Sequence, residues 1–254
     1  MQKISVAALL ALVLGLWGGS AQAAILLQDN FDSYATQAAF QAAWPASGSG
    51  TTSNGTTGTL VTSPAFSAPN SIFYPTTAGE RNNRSFVDTT GTVAAPIEWS
   101  FRFFDSNGTA SAYRQYSEII DGGASGAGQL IALGLNNNIV SSHYMVRVLG
   151  SDAGSGVSAF GKLDGAGVPT RSTGWHELKA VIKGASADFY VDGVFSKNIP
   201  IATIRAFDTI RMGSNLSATQ SANFDDELVQ TIPEPATLGL LALAGGGLLR
   251  RRRK

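Results

Sequence analysis

Glu118-Ile-Ile-Asp121 is where acid–base chemistry would first be sought in this chain of 254 residues. Retaining hydrolysis of a glycosidic bond needs two carboxylates about 5 Å apart, one of them held protonated. Three-residue spacing on a strand puts the two side chains on opposite faces, and no second glutamate follows within the motif. The segment therefore reads as a solvent-facing strand residue, Glu118, followed by Asp121 opening the Asp121-Gly122-Gly123 turn. A lyase would need a Tyr or His base with a cation beside it. His143-Tyr144 with Arg147, or Arg114 with Tyr113 and Tyr116, supply those types, but no motif gathers them. The Tyr144 ring is expected in the core and Arg147 in solvent. His176, next to Trp175 at the start of a strand, is expected to be structural. No serine sits in a Gly-x-Ser-x-Gly elbow. The chain has no cysteine and two histidines, which excludes thiolate metal sites, disulfides, a thiol nucleophile and a three-histidine centre. The expectation is a protein without catalytic residues.

Oxygen chemistry is the alternative. Calcium takes six to eight oxygen ligands from carboxylates, carbonyls and water. Asp29 and Asp32 would neighbour Asp225 and Asp226 if the first and last strands pair. Alternation then sends Asp225 and Asp226 to opposite faces, so at most one joins a site. Asp29, Asp32 and Asp225 are the candidate calcium ligands, with Asp225 equally readable as a buried hydrogen-bond acceptor or turn former. Sugar binding would draw on exposed aromatics and amides such as Trp44, Tyr74, Tyr113 and Asn136-Asn137-Asn138. Trp99 and Phe101 share one face of an alternating strand and read as core.

These residues must be carried by strands. Period-two alternation marks Ile97–Phe103, Tyr144–Val148 and His176–Ile182; shorter runs lie at 71–74, 85–88, 116–120, 130–135, 188–191, 209–212 and 223–230. Asp192-Gly193 between two apolar runs predicts a two-residue hairpin, since both positions of a type I′ turn need positive φ. Gln37–Trp44 and Ile201–Ala206 are the helical candidates, and Ser47–Thr59 reads as a low-complexity loop. Ten or more short strands predict a two-sheet antiparallel sandwich over residues 24–232.

The ends of the sequence differ from this middle. Lys3, the apolar run Val6–Trp17 and Ala21-Gln22-Ala23 form a secretory signal with cleavage expected after Ala23 by signal peptidase. At the other end stand Pro233-Glu234-Pro235, an apolar run from Ala236 to Leu249, and Arg250-Arg251-Arg252-Arg253-Lys254. The basic cluster stays on the cytoplasmic side, which leaves Pro-Glu-Pro across the membrane. With both ends removed, 12 basic face 17 acidic groups, or 18 if Glu234 is retained. An acidic domain of this kind is not expected to bind nucleic acid.

The tripartite tail resembles the PEP-CTERM sorting signal of Gram-negative bacteria. The resemblance implies an exosortase that removes residues 233–254 after transient inner-membrane insertion, and a destination at the cell surface or in the extracellular polysaccharide matrix. A second resemblance covers the middle. Gly174-Trp175-His176-Glu177-Leu178-Lys179 with Asp188-Phe189-Tyr190-Val191-Asp192-Gly193 is similar to a hairpin of concanavalin A-like, laminin-G-like jelly rolls. Asn30-Phe31-Asp32-Ser33-Tyr34 and Asn223-Phe224-Asp225-Asp226 are similar to their first and last strands. It implies a jelly-roll sandwich that binds a glycan or serves as matrix structure, with a structural calcium at the Asp-rich termini as in many sandwich carbohydrate-binding modules; a glycoside hydrolase or polysaccharide lyase is the alternative.

Overall fold

The computed structural model describes residues 23–46, 58–76, 81–110, 114–122, 130–136, 141–149, 159–201, 205–214 and 220–232. The signal segment 1–22, most of the 47–59 low-complexity stretch, Tyr113, Asn137, Asn138 and the tail from Pro233 through Arg250–Arg253 fall outside them.

Fourteen strands are assigned among these residues, in two antiparallel sheets. In the first sheet, β1 (Ile25–Asp29), β2 (Thr59–Val61), β3 (Ser71–Tyr74), β5 (Ile97–Asp105), β10 (Gly174–Ile182), β11 (Ser186–Val191), β12 (Val194–Pro200) and β14 (Ala222–Thr231) run in the order β12-β11-β10-β5-β14-β3-β2. β1 also pairs with β14, Asp29 opposite Glu227. The second sheet holds β4 (Asn82–Thr89), β6 (Gln115–Ile120), β7 (Leu130–Leu135), β8 (Met145–Leu149), β9 (Ala159–Lys162) and β13 (Phe207–Met212), ordered β4-β13-β6-β7-β8-β9. Every strand named from the sequence lies within one of these, except that β8 begins at Met145 and leaves Tyr144 outside it. The single α-helix described, α1 (Gln37–Ala43), is capped by the Thr36 hydroxyl on the Ala39 N–H, and its Phe40 is buried. Ile201, Arg205 and Ala206 carry no helix; residues 202–204 of that expected helix lie outside the described set. Gly58 and Thr59, expected in a loop, lead into and begin β2.

Alternation explains the core. On β5, Ile97, Trp99, Phe101 and Phe103 all point inward and are fully buried, and Phe224 of β14 packs edge-on against Phe103 at 5.4 Å. The Asp192-Gly193 turn has the expected positive φ at both residues, 49° and 76°, joining Val191 to Val194. His176 explains why that turn is fixed to its neighbour. Its Nδ1 lies 2.8 Å from Asp192 Oδ2, and its Nε2 lies near both the Ser172 hydroxyl and the Ser172 carbonyl. With an acceptor at each ring nitrogen, the ring works as a clamp between two loops, in keeping with the structural role expected for it. Burial pushes the His176 pKa down, but the Asp192 carboxylate outweighs it and the net shift is upward.

β14 carries one irregularity. Phe224 and Val229 both face the core although five positions apart, because the ladder to β5 slips between Asp225 and Leu228 and Asp226 adopts a φ of 48°. This bulge turns Glu227 inward, where its carboxyl meets Trp99 Nε1 at 3.2 Å and the Ser117 hydroxyl of the opposite sheet at 2.9 Å. Burial pushes the Glu227 pKa up to about 8, against the pull of those two hydrogen bonds.

A carboxyl whose folded pKa lies above its unfolded value binds its proton more tightly in the native state. Its stabilising contribution is complete below the unfolded pKa and lost as pH rises through the folded one. The raised His176 acts in the same direction over a higher window. Stability measured by urea unfolding is therefore expected to fall between about pH 5 and pH 8. Glu227→Gln should flatten that slope and gain roughly 2 kcal/mol over the native protein at pH 8, relative to pH 5; an unchanged slope would remove Glu227 as its source.

Candidate functional site

The solvent face of the first sheet is set by the residues between the inward ones. On β10 these are Trp175, Glu177 and Lys179; on β5 they are Ser100, Arg102 and Phe104. The ladder puts Trp175 opposite Phe104, and Glu177 opposite Arg102, which stands opposite Asp225 of β14. Two adjacent rows result, one aromatic and one charged. Trp175 and Phe104 pack edge-to-face at 5.3 Å, and Phe66, from the loop between β2 and β3, packs edge-to-face on Trp175 at 5.9 Å. Phe66 is 47% exposed, and the Arg102 guanidinium lies 4.2 Å from its ring centroid. Aromatic pairs favour this tilted geometry over flat stacking, and a cation over a ring adds to it.

Asp225 holds that loop in place. It is fully buried, with Oδ2 accepting from the Phe66 and Ser67 amides at 2.8 and 3.2 Å and Oδ1 from the Asp226 amide at 2.8 Å. Burial pushes its pKa up to about 7, opposed by those same amides. This is the buried-acceptor role that the sequence allowed for it. Beside it the bulge opens a cleft of about 310 Å³ lined by Gln28, Asn30, Ser100, Arg102, Glu177 and Asp226. The cleft meets a second one, of about 330 Å³, at Gln28–Asn30, reaching Ser33, Tyr34 and Arg84. Amides, carboxylates and one guanidinium beside the exposed Phe66 ring and the half-buried Trp175 and Phe104 form a surface suited to a polyhydroxylated ligand. It offers hydrogen bonds around the ligand and an apolar face to pack on.

The three expected calcium ligands are spent differently. Asp29 Oδ1 accepts from the Phe31 amide at 2.8 Å, and Oδ2 from Trp44 Nε1 at 2.9 Å, from the Tyr34 hydroxyl and from Arg84. Burial, then Asp29, raises the Tyr34 pKa to about 12. Asp32 accepts from the Asn70 amide and from Asn30. Among the described residues no three His, Asp or Glu side chains converge as a metal centre requires. A calcium ion at Asp29 or Asp225 would have to share these carboxylate oxygens with their N–H and O–H donors or displace them. Ala23 lies exposed just before β1.

Several side chains lie elsewhere than the sequence suggested. Trp44 and Tyr74, candidates for sugar stacking, are fully buried, and Asn136 is buried as well. Trp44 is drawn in by Asp29, and Tyr74 by the hydrogen bond of its hydroxyl to Asn82 at 2.7 Å. Trp99, Phe101 and Tyr144 are core, as expected. Glu118 is not solvent-facing but 2% exposed. It lies on the outer side of the second sheet opposite Arg211 and Ala132, with Arg81 at 3.4 Å. Burial raises its pKa against the pull of Arg81, Arg211 and Arg147. Asp121 pairs instead with Arg205 at 3.3 Å. The Phe66–Trp175–Phe104 cluster was missed because Trp175 was read only with its histidine and Phe104 breaks no pattern of its own. The alternation of Trp175, Glu177 and Lys179 was the available signal.

Comparison with known proteins identifies the tail. Residues 231–254 match the PEP-CTERM protein-sorting motif, so the chain carries an exosortase sorting signal and is an exported protein that transits the membrane. No curated protein matches it. Among solved structures it is similar to the T. cruzi calreticulin globular domain, at 11% identity and TM-score 0.53, covering 89% of this chain and 95% of that one. Domain 4 of an extracellular arabinanase from Geobacillus stearothermophilus, solved with arabinotriose, gives 11% identity and TM-score 0.52, over 84% of this chain and 94% of that one. Against the binding domain of botulinum neurotoxin serotype D the identity is 13% and the TM-score 0.44, over 70% of this chain and only 43% of that one. The first two likenesses are of fold: the protein is a jelly-roll sandwich.

Removing the Asp225 carboxyl should free the loop that presents Phe66. In Asp225→Ala, amide hydrogen exchange at Phe66 and Ser67 is expected to rise at least tenfold, since each lost bond to a charged acceptor is worth about 1.5–3 kcal/mol. Unchanged protection at both amides would show that other contacts fix the loop.

Proposed function

We propose that the exported domain binds a polysaccharide at the cell surface or in the extracellular matrix, and that it does so without cleaving it. The observation carrying this reading is the Phe66–Trp175–Phe104 cluster beside the cleft of Gln28, Asn30, Arg102, Glu177 and Asp226. Sugar rings present an axial C–H face to an aromatic ring and a rim of hydroxyls to amides and carboxylates, and both partners stand side by side here. The carboxyls near this cleft with strongly raised pKa values are Glu227, turned into the core toward Trp99 and Ser117, and Asp225, buried beneath the Phe66 loop with its oxygens on the Phe66, Ser67 and Asp226 amides. Those placements support binding over acid catalysis at this face.

A second reading rests on Glu118. A buried carboxyl whose pKa is pushed upward by burial, facing Arg81 and Arg211 on the outer side of the second sheet, is the kind of group a general acid draws on. A hydrolase or lyase acting on matrix polysaccharide would use that face instead.

The purified domain, residues 24–232, screened against neutral and charged polysaccharides separates the two. Saturable binding without release of reducing ends or unsaturated uronides is expected. Trp175→Ala should weaken it about tenfold, the equivalent of one aromatic contact near 1.4 kcal/mol. Full affinity in that variant would move the site off this face. Product release abolished by Glu118→Gln would make the protein an enzyme. Repeating the screen with calcium and with chelator tests the metal independently of the glycan.

A further inference from the structure

Both ends of the sandwich leave it at one place. The Ala24 amide donates to the Thr231 hydroxyl at 3.2 Å, and the Thr231 amide to the Ala24 carbonyl at 2.9 Å. The Ile232 amide donates to the Pro96 carbonyl at 2.8 Å, so the chain is held in the fold up to the residue before Pro233. Thr231 stands opposite Ile97, and Ile97 opposite Ile182, which identifies this as one common end of the central strands.

Among the described residues five large hydrophobic side chains are exposed, and three belong here: Ile25 at 59%, Val93 at 69% and Val87 at 73%. Ile25 opens β1 opposite Gln230. Val93 sits in the turn closed by the Thr92 amide on the Ala95 carbonyl, just ahead of Pro96. Val87 lies two residues before the end of β4. The nearby Glu98 carboxylate is engaged by Lys179 at 3.7 Å and by Gln230 at 2.8 Å, which lowers the cost of bringing it toward lipid.

The length of chain beyond the sandwich decides what meets this surface. From Ile232 to the first residue of the apolar tail, Ala236, there are four residue steps, spanning at most about 14 Å when fully extended. The headgroup layer outside the hydrocarbon core is roughly 5–8 Å deep on each side. With the tail inserted, this end of the sandwich is held within about 14 Å of the hydrocarbon boundary, in or directly over the headgroup layer. We propose that this end of the sandwich is a membrane-facing surface. Ile25, Val87 and Val93 rest in the headgroup layer of the lipid bilayer while the sorting tail is in place, and are released when it is removed.

The sequence has no cysteine, so a single one can be introduced as a probe. The full chain carrying Ile25→Cys, Val93→Cys or Phe195→Cys, each labelled with an environment-sensitive fluorophore, would be reconstituted into vesicles of phosphatidylethanolamine with phosphatidylglycerol. Phe195 is an exposed site on β12, in register with Tyr190 and away from the chain ends. Expected are a blue-shifted emission and a severalfold loss of iodide quenching at positions 25 and 93, with neither at 195. Three results would overturn the proposal: full quenching at 25 and 93 in chains that float with the vesicles, equal protection at 195, or failure of the full chain to float. Trimming the chain to residues 24–232 should return both probes to their aqueous emission; protection that persists there would also count against it.

Discussion

The slip in β14 is the constraint on which the rest of the molecule depends. Between Phe224 and Val229 the chain must fill the core, cross-link the two sheets through Glu227 and anchor an exposed loop through Asp225. Strict alternation allows only two of these, since Asp225 and Glu227 would share a face. Setting Asp226 outside the ladder resolves the conflict: Asp225 faces outward beneath the Phe66 loop and Glu227 faces the interior. The cost is a non-glycine residue at positive φ, which aspartate tolerates better than most. The same slip parts β14 from β5 and opens the cleft beside the aromatic cluster.

Buried polar groups elsewhere obey a similar economy. Asp105 and Arg171 are both wholly buried, and they survive there because each is hydrogen-bonded on several sides: Asp105 also accepts from the Asn107 and Gly108 amides and from Gln220, and Arg171 reaches the Ser141 carbonyl. An ion pair so placed adds little net stability but is costly to break. It ties the end of β5 to the loop ahead of β10. Asp29 does the equivalent work at the other side, joining β1, the α1 region and β4 through Trp44, Tyr34 and Arg84.

Much of this was legible in the sequence. Period-two runs located the strands, because each has one face in the core. The positive-φ demand of the hairpin singled out Asp192-Gly193, and the tail declared itself through a three-part chemistry that few other segments share. What escaped was a matter of partners distant in sequence. Glu118 reads as exposed until β13 and Arg81 are laid over it. Trp44 and Tyr74 read as free aromatics until Asp29 and Asn82 capture their polar atoms. Phe66 lies in a loop whose position is set by an aspartate 159 residues away, and no local pattern records such a pairing. The bulge hid for a related reason: its signature is a register between strands, which appears only once β14 has neighbours.

The place of β14 in the first sheet also sets an order of events. It lies between β5 and β3, with β1 on it as well, yet it is the last strand to be synthesised. A chain emerging amino-terminus first holds β5 without its central neighbour until residue 231 appears, and only then do Phe224 and Glu227 reach their partners. Closure of the core thus waits on long-range pairing, which is slow to nucleate. It falls at the moment when the sorting tail follows into the membrane. The strand that completes the core and the sorting signal occupy adjoining stretches of chain, so a molecule whose tail has reached the membrane already carries every strand described in the sandwich.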